Sequence, residues 1–242
     1  MRGPDDFLWD DHDVTRTATR YGRADTSFSF EAKREGTPTD LALGARRARA
    51  GALLAMALPG SMYIYQGEEL GLPEVDVPPD LRQDPMYFRS GGVDPGRDGC
   101  RVPLPWAGGT PPYAFSPPDG RPTWLPQPRD WRPLTVAAQS VDPDSMLTLY
   151  RAALRLRRVE LSSTDPFAWL PSDPNVLAFS RGDRFACVVN LGSAPIPLPE
   201  GAVLISSHAV DGGRLPPDAA AWLRRPRTSS VPAMHHDCTD KE

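Results

Sequence analysis

Proline constrains this chain more than any other residue. Of 29 prolines, fifteen fall between Pro73 and Pro133. Each fixes φ and removes a backbone donor, so a segment this rich in them is neither a long helix nor a central strand. The same segment carries Tyr87, Phe88, Trp106, Tyr113, Phe115, Trp124 and Trp131. A disordered linker does not usually concentrate aromatics in this way. The segment at about 67–141 therefore reads as a long ordered insertion wrapped on a scaffold, and loops of that length are usually functional.

The flanks supply the scaffold. Thr39 or Asp40 is placed to cap a helix running to about Leu58, with Leu41, Ala45, Ala48, Ala52, Ala55 and Met56 near one face. Pro59-Gly60 ends it. Residues 62–66 read as a short buried strand, and Tyr65-Gln66-Gly67-Glu68-Glu69 follows with paired carboxylates. A barrel strand delivering polar groups to a pocket has this profile. Phe7-Leu8-Trp9 reads as an earlier strand, followed at once by Asp10-Asp11-His12-Asp13. Residues 14–36 read as polar and irregular. Beyond the insertion, Asp142-Pro143-Asp144-Ser145 marks a helix start with Asp142 as the cap. That helix runs to about Val159 and ends on Arg155, Arg157 and Arg158.

After Leu161 the pattern becomes that of strands. Val176–Ser180 and Phe185–Leu191 read as a hairpin with Gly182-Asp183 at its tip. Residues 202–206 and 220–223 read as two more strands, so a small antiparallel β domain is expected at about 165–225. The polar tail, 226–242, is expected to be flexible. Arg181-Gly182-Asp183 is an adhesion-type tripeptide that a hairpin tip explains fully. His235-His236-Asp237-Cys238 offers metal-ligand types in a tail, and no metal is expected there.

Composition narrows the classes of partner. A net charge of −4 leaves no broad basic surface for nucleic acid or an anionic membrane. No apolar run approaches the ~20 residues that span a bilayer, and the first residues lack a signal-peptide apolar region. The three cysteines are odd in number and far apart, so neither a disulfide framework nor a zinc site is expected. The expected setting is the cytoplasm, and no cofactor is expected.

Three stretches in order carry a resemblance. His12-Asp13 followed by Val14-Thr15-Arg16 is similar to the Asn-His-Asp motif ending barrel strand seven of glycoside hydrolase family 13, the α-amylase family. Pro59-Gly60 through Glu69 is similar to that family's strand-eight region. Arg97-Asp98-Gly99-Cys100-Arg101-Val102-Pro103-Leu104-Pro105-Trp106 is similar to the Arg-Asp-x-x-Arg-Thr-Pro-Met-x-Trp stretch of its α-glucosidase and oligo-1,6-glucosidase branch. Trp124-Leu125-Pro126 and the helix with Leu149-Tyr150-Arg151 fit the same branch. Asp11 stands where the family has Asn, and the lead-in to Asp10 lacks the family's apolar approach.

The resemblance implies an α/β plus all-β fold. It would be the C-terminal fragment of a (β/α)8 TIM barrel, at 1–160, followed by a small antiparallel β-sandwich. It implies hydrolysis of terminal α-glucosidic bonds in maltose- or isomaltose-like sugars by a retaining mechanism. Asp13 would be the transition-state-stabilising carboxylate, with His12 and Arg101 binding the sugar. Glu68 and Glu69 would either line the sugar pocket or bond the barrel-top loops together. The nucleophile and the acid/base would lie upstream on strands four and five, so the 242 residues are expected to be inactive alone.

Residue by residue, plainer readings remain. Asp10–Asp13 also fits a solvated turn, and Arg101 fits an ion pair with Asp98 or Asp94. The aromatics of the insertion fit packing as well as sugar stacking. Two other functions stay open: a non-catalytic carbohydrate-binding remnant, and one half of a barrel completed by a separate N-terminal half.

Overall fold

The computed structural model describes residues 6–8, 10–27, 36–117 and 120–226. Trp9, the 28–35 stretch and the tail motif His235–Cys238 lie outside these. The fold begins with a short parallel pair, β1 (Asp6–Leu8) beside β2 (Ser61–Tyr63), with Phe7 opposite Met62. Parallel strands need a crossover, here supplied by α1 (Thr17–Arg20) and α2 (Leu41–Ala57). The first of these corrects the expectation that 14–36 is irregular throughout. Its N-terminus sits on the Asp10 carboxylate, which accepts from the Thr17 N–H at 3.1 Å.

The strand expected at 62–66 is shorter and less buried than its sequence suggests. Ser61 and Tyr63 are exposed and Met62 is half-buried. Only β1 pairs with β2 among the described residues, and it offers three partners. The chain then turns, with the Glu68 N–H donating to the Tyr65 carbonyl at 2.9 Å.

Asp40, not Thr39, caps α2: its Oδ1 accepts from the Leu43 N–H at 2.9 Å. Leu41 is exposed, whereas Gly44, Ala48, Ala52, Leu53 and Met56 are buried. The helix is covered on several sides, which is why most of its buried residues are Gly or Ala. At Gly44 an added Cβ would collide with the Ala18 carbonyl oxygen, so α1 and α2 meet backbone to backbone.

The insertion is ordered around its own core. Leu70, Leu72, Val102, Tyr113, Leu125 and Trp131 form one buried cluster with Leu147. Packing therefore accounts for Tyr113 and Trp131, while Phe88, Trp106, Phe115 and Trp124 face solvent. Regular structure is confined to α3 (Pro85–Arg89), α4 (Val136–Val141) and single 3-10 turns. In α5 (Met146–Glu160) the cap is Ser145, whose Oγ accepts from the Thr148 N–H at 3.1 Å. Asp142, the expected cap, instead accepts from the Asp144 N–H at 2.9 Å and turns the chain over Pro143. Near the end of α5, Arg157 donates to the carbonyls of Met56, Leu58 and Gly60. These are acceptors that the end of α2 leaves open.

The β domain is a five-stranded antiparallel sheet in the order β3 (Phe167–Trp169), β4 (Val176–Arg181), β5 (Phe185–Asn190), β9 (Ala219–Arg224), β7 (Ala202–Ser206). A two-stranded ribbon of β6 (Ile196–Pro197) and β8 (Arg214–Leu215) is separate from it. Strand alternation decides the layers. Phe185, Cys187, Val189, Ala220 and Trp222 face α2 and α5. Ala186, Val188, Ala221 and Leu223 face the other way and pack with Leu215 and Ile196 of the ribbon. The sandwich therefore has unequal layers. Sequence periodicity did not mark β3, β6 or β8, which are two or three residues long. The β4–β5 hairpin turns at Gly182 with φ of 60°.

Candidate functional site

Asp13 follows the C-terminal end of β1 and is half-exposed. Two arginines converge on its Oδ1: Arg97 Nη1 donates at 3.0 Å and Arg101 Nη2 at 2.8 Å. Arg101 Nε also donates to the His12 carbonyl at 2.8 Å, and His12 Nε2 lies 3.5 Å from Asp13 Oδ1. The structure thus brings together His12, Asp13 and Arg101 from positions 88 residues apart. The ion pair considered for Arg101 with Asp98 or Asp94 is replaced by this one with Asp13. Desolvation works to raise the Asp13 pKa, but the hydrogen bonds from Arg97 and Arg101, with the charges of His12 and Arg97, outweigh it. The carboxyl sits below its ordinary value.

Arg97 is the residue that sequence reasoning missed. A single 3-10 turn, Asp98–Cys100, separates it from Arg101 and puts both guanidinium groups on the Asp13 side. Its other edge forms a fork onto buried Asp84, at 2.7 and 3.0 Å. That hydrogen-bonded pairing holds the Asp84 carboxyl well below its usual range and raises Arg97. The four-residue spacing of the two arginines was the available signal.

Behind the site, Arg16 joins three loops. It is fully buried, and its Nη1 donates to the Gln66 carbonyl at 3.0 Å while Nη2 donates to that of Cys100 at 2.6 Å. Its backbone N–H donates to Glu74 Oε2 at 2.8 Å. Gly67, with φ of 91°, leaves room for this: an added Cβ would sit 2.7 Å from Arg16 Nη1.

Glu68 and Glu69 bond protein groups. Buried Glu68 accepts from the Tyr150 hydroxyl at 2.6 Å and from the Tyr65 N–H at 3.3 Å. Half-exposed Glu69 accepts from the Gly67 N–H at 2.7 Å. Neither makes a hydrogen bond or ion pair with Asp13 among the described residues. Desolvation pushes Glu68 up to about 7, against the hydrogen bond from Tyr150. Asp10 is raised to about 6, again mainly by burial. Glu74 is part-exposed along its chain while its carboxyl head is enclosed, which raises it to about 7.

The cleft behind Asp13, lined by Thr15, Glu74, Arg97 and Asp98, holds about 30 Å³. That is room for one water, so anything larger must meet Asp13 from its open side. Arg181 of the adhesion-type tripeptide is buried and donates to the carbonyls of Ala57 and Ser162. Cys100 and Cys187 are buried free thiols. Among the described residues no cluster of three or more His, Cys, Asp or Glu side chains is arranged to hold a metal ion. No described helix is long and apolar enough to cross a membrane.

A parallel strand pair with polar groups at its C-terminal end, a long loop insertion and an antiparallel β domain define part of a parallel α/β barrel with an appended β domain. The chain belongs to the α-amylase family, glycoside hydrolase family 13: the α-amylase catalytic domain matches residues 3–164. A domain of unknown function (DUF3459) matches residues 173–222. A probable α-glucosidase of Rhizobium meliloti is 34% identical over 189 residues, covering 76% of this chain and 31% of that protein. The probable oligo-1,6-glucosidase 2 of Bacillus subtilis is 27% identical over 202 residues, covering 74% and 32%. The chain thus spans about a third of the length of these curated relatives. Among solved structures, the α-glucosyl transfer enzyme XgtA aligns with a TM-score of 0.65 at 29% identity, covering 90% of this chain and 40% of XgtA. The match falls on the C-terminal part of such enzymes.

Proposed function

We propose that these residues form the sugar-gripping C-terminal wall of an α-glucosidase-type glycoside hydrolase acting on terminal α-glucosidic bonds of maltose- or isomaltose-like sugars. The observation that carries this reading is the convergence of Arg97 and Arg101 on a half-exposed Asp13 at the end of a parallel strand. A carboxylate held ionised there stabilises positive charge developing at the anomeric carbon. His12 and the outer edge of Arg101 bind vicinal hydroxyls. Glu69 and Glu68 brace the loop after β2.

Retention needs a nucleophile and an acid/base about 5–5.5 Å apart. By family resemblance these belong to strands four and five, which have no counterpart in the 242 residues. The cytoplasm is the setting that goes with this reading, and an N-terminal barrel half is the partner it calls for.

The test is turnover of p-nitrophenyl α-glucoside. The 242-residue polypeptide alone should give none, and adding a polypeptide carrying strands one to six should restore it. Turnover by the polypeptide alone would show that the reacting carboxylates lie within it and overturn this assignment. Restored turnover that survives Asp13→Asn undiminished would remove Asp13 from the chemistry.

A further inference from the structure

We propose that Asp84 is a positioning residue for the glycosidic reaction: it fixes the Arg97 guanidinium so that Nη1 is delivered to Asp13. The role rests on the reading of Asp13 as the charge-stabilising carboxylate. The Asp84 side chain has no solvent exposure, whereas that of Arg97 is 27% and that of Asp13 49% exposed. Both Asp84 oxygens are occupied. Oδ2 accepts from the Arg97 backbone N–H at 2.8 Å and from Arg97 Nε at 2.7 Å. Oδ1 accepts from Arg97 Nη2 at 3.0 Å and from the Met86 N–H at 3.0 Å. A carboxylate offers about four acceptor sites, so Asp84 has none left for a ligand and can act only through Arg97.

The clamp is itself anchored. Buried Asp98, next in sequence to Arg97, accepts through Oδ2 from the Gln83 N–H at 2.6 Å and the Asp84 N–H at 2.9 Å. The two aspartates thus cross-link residues 83–84 to residues 97–98. Gly96 makes the approach possible: its φ is 78°, and an added Cβ would sit 2.9 Å from the Asp84 Cβ. Arg97 gives Asp84 its backbone N–H, Nε and Nη2, which leaves Nη1 for Asp13. The charged neighbours of Asp13 are His12, Arg97 and Arg101. An exposed ion pair is ordinarily weak because both side chains lose rotamer freedom to form it. Asp84 removes that freedom from Arg97 in advance, so Asp13 meets a preset donor.

The test is Asp84→Asn, read by carboxyl-carbon NMR titration of Asp13 in the 242-residue chain. The variant keeps the shape of the side chain but gives up its charge and one acceptor. If Asp84 acted by charge alone, its loss would leave Arg97 more strongly positive beside Asp13 and push the Asp13 midpoint further down. If Asp84 positions the guanidinium, Nη1 drifts from Asp13 and the midpoint should rise toward the ordinary 3.8. A midpoint that falls or stays put would overturn the proposal. The unmutated chain gives a second reading that does not depend on the variant folding. At an acid pH where Asp13 is protonated and the more strongly depressed Asp84 is not, the two Arg97 Nη signals should stay resolved, because the fork onto Asp84 blocks rotation about Nε–Cζ. Their merging into one averaged signal would overturn the proposal as well. In a barrel completed with a polypeptide carrying strands one to six, Asp84→Asn should lower kcat about tenfold and move KM less, because Asp13 acts on charge that develops in the transition state. An unchanged kcat would remove Asp84 from the reaction. No turnover in the unmutated completed barrel would count against the proposed function, and the two NMR readings would still decide whether Asp84 sets Arg97.

Discussion

Tyr150 donates its hydroxyl hydrogen to Glu68 Oε1 at 2.6 Å across 82 residues of sequence. The bond ties the middle of α5 to the loop after β2, and both partners are buried. Glu68 also feels the neighbouring charge of Asp10, which pushes its pKa further in the direction that burial sets. The loop carrying the family's paired carboxylates is therefore held by a group that prefers to be neutral.

This predicts a pH dependence of known sign. Glu68 moves from an ordinary 4.5 to about 7 in the folded chain. A carboxyl with a raised folded pKa contributes stability below its unfolded value, and that contribution is lost as pH rises through the folded value. Stability should fall between pH 4.5 and 7, with Glu68 accounting for at most about 3 kcal/mol. Asp10, raised to about 6, and Glu74, raised to about 7, act in the same direction. Glu68→Gln mimics the neutral acid and should flatten the slope without removing it. Urea unfolding across this range reads the effect, and an unchanged slope would rule out Glu68 as a contributor.

Arg97 bridges two carboxylates that need its fork. Arg97→Lys keeps a positive charge but cannot hold Asp84 with two bonds and Asp13 with a third. The Asp13 carboxyl should then titrate closer to its ordinary 3.8, while Asp84 remains depressed. Carboxyl-carbon NMR titration of both residues checks this. An Asp13 titration that does not move would mean that Arg101 and His12 suffice.

Trp222 joins the sheet to α2. It is fully buried, and its Nε1 donates to the Leu53 carbonyl at 3.0 Å. Trp222→Phe removes that donor and leaves a void beside Phe185, whose ring centre is 5.3 Å away. The combined cost should be ~2 kcal/mol. Denaturant unfolding should show a lower midpoint, and an unaltered midpoint would mean that the two units do not depend on this contact.

Much of the fold was legible because it rests on local chemistry. Asp40 as one of two possible caps, Pro59-Gly60 as a stop and Gly182-Asp183 as a hairpin tip all follow from neighbouring residues. The motif order around Asp13, Glu68 and Arg101 likewise marked the family in the chain alone. Errors arose where a nearby competitor won. Ser145 displaced Asp142 as cap because its hydroxyl reaches the Thr148 N–H, while Asp142 is occupied in its own turn. The strand at β2 stopped at Tyr63 because its neighbour is three residues long.

The sequence by itself determined the longer helices and strands, the ordered insertion and the identity of the polar residues. Only the tertiary structure decided which of those residues meet. Arg97 reaches Asp13 over 84 residues and Glu68 meets Tyr150 over 82. Nothing in residue type or spacing fixes such pairings, because they arise when separate loops fold onto one surface. The split between an open Asp13 and a buried Glu68 has the same origin. Each carboxylate takes its solvent, its partners and its pKa from segments distant in sequence.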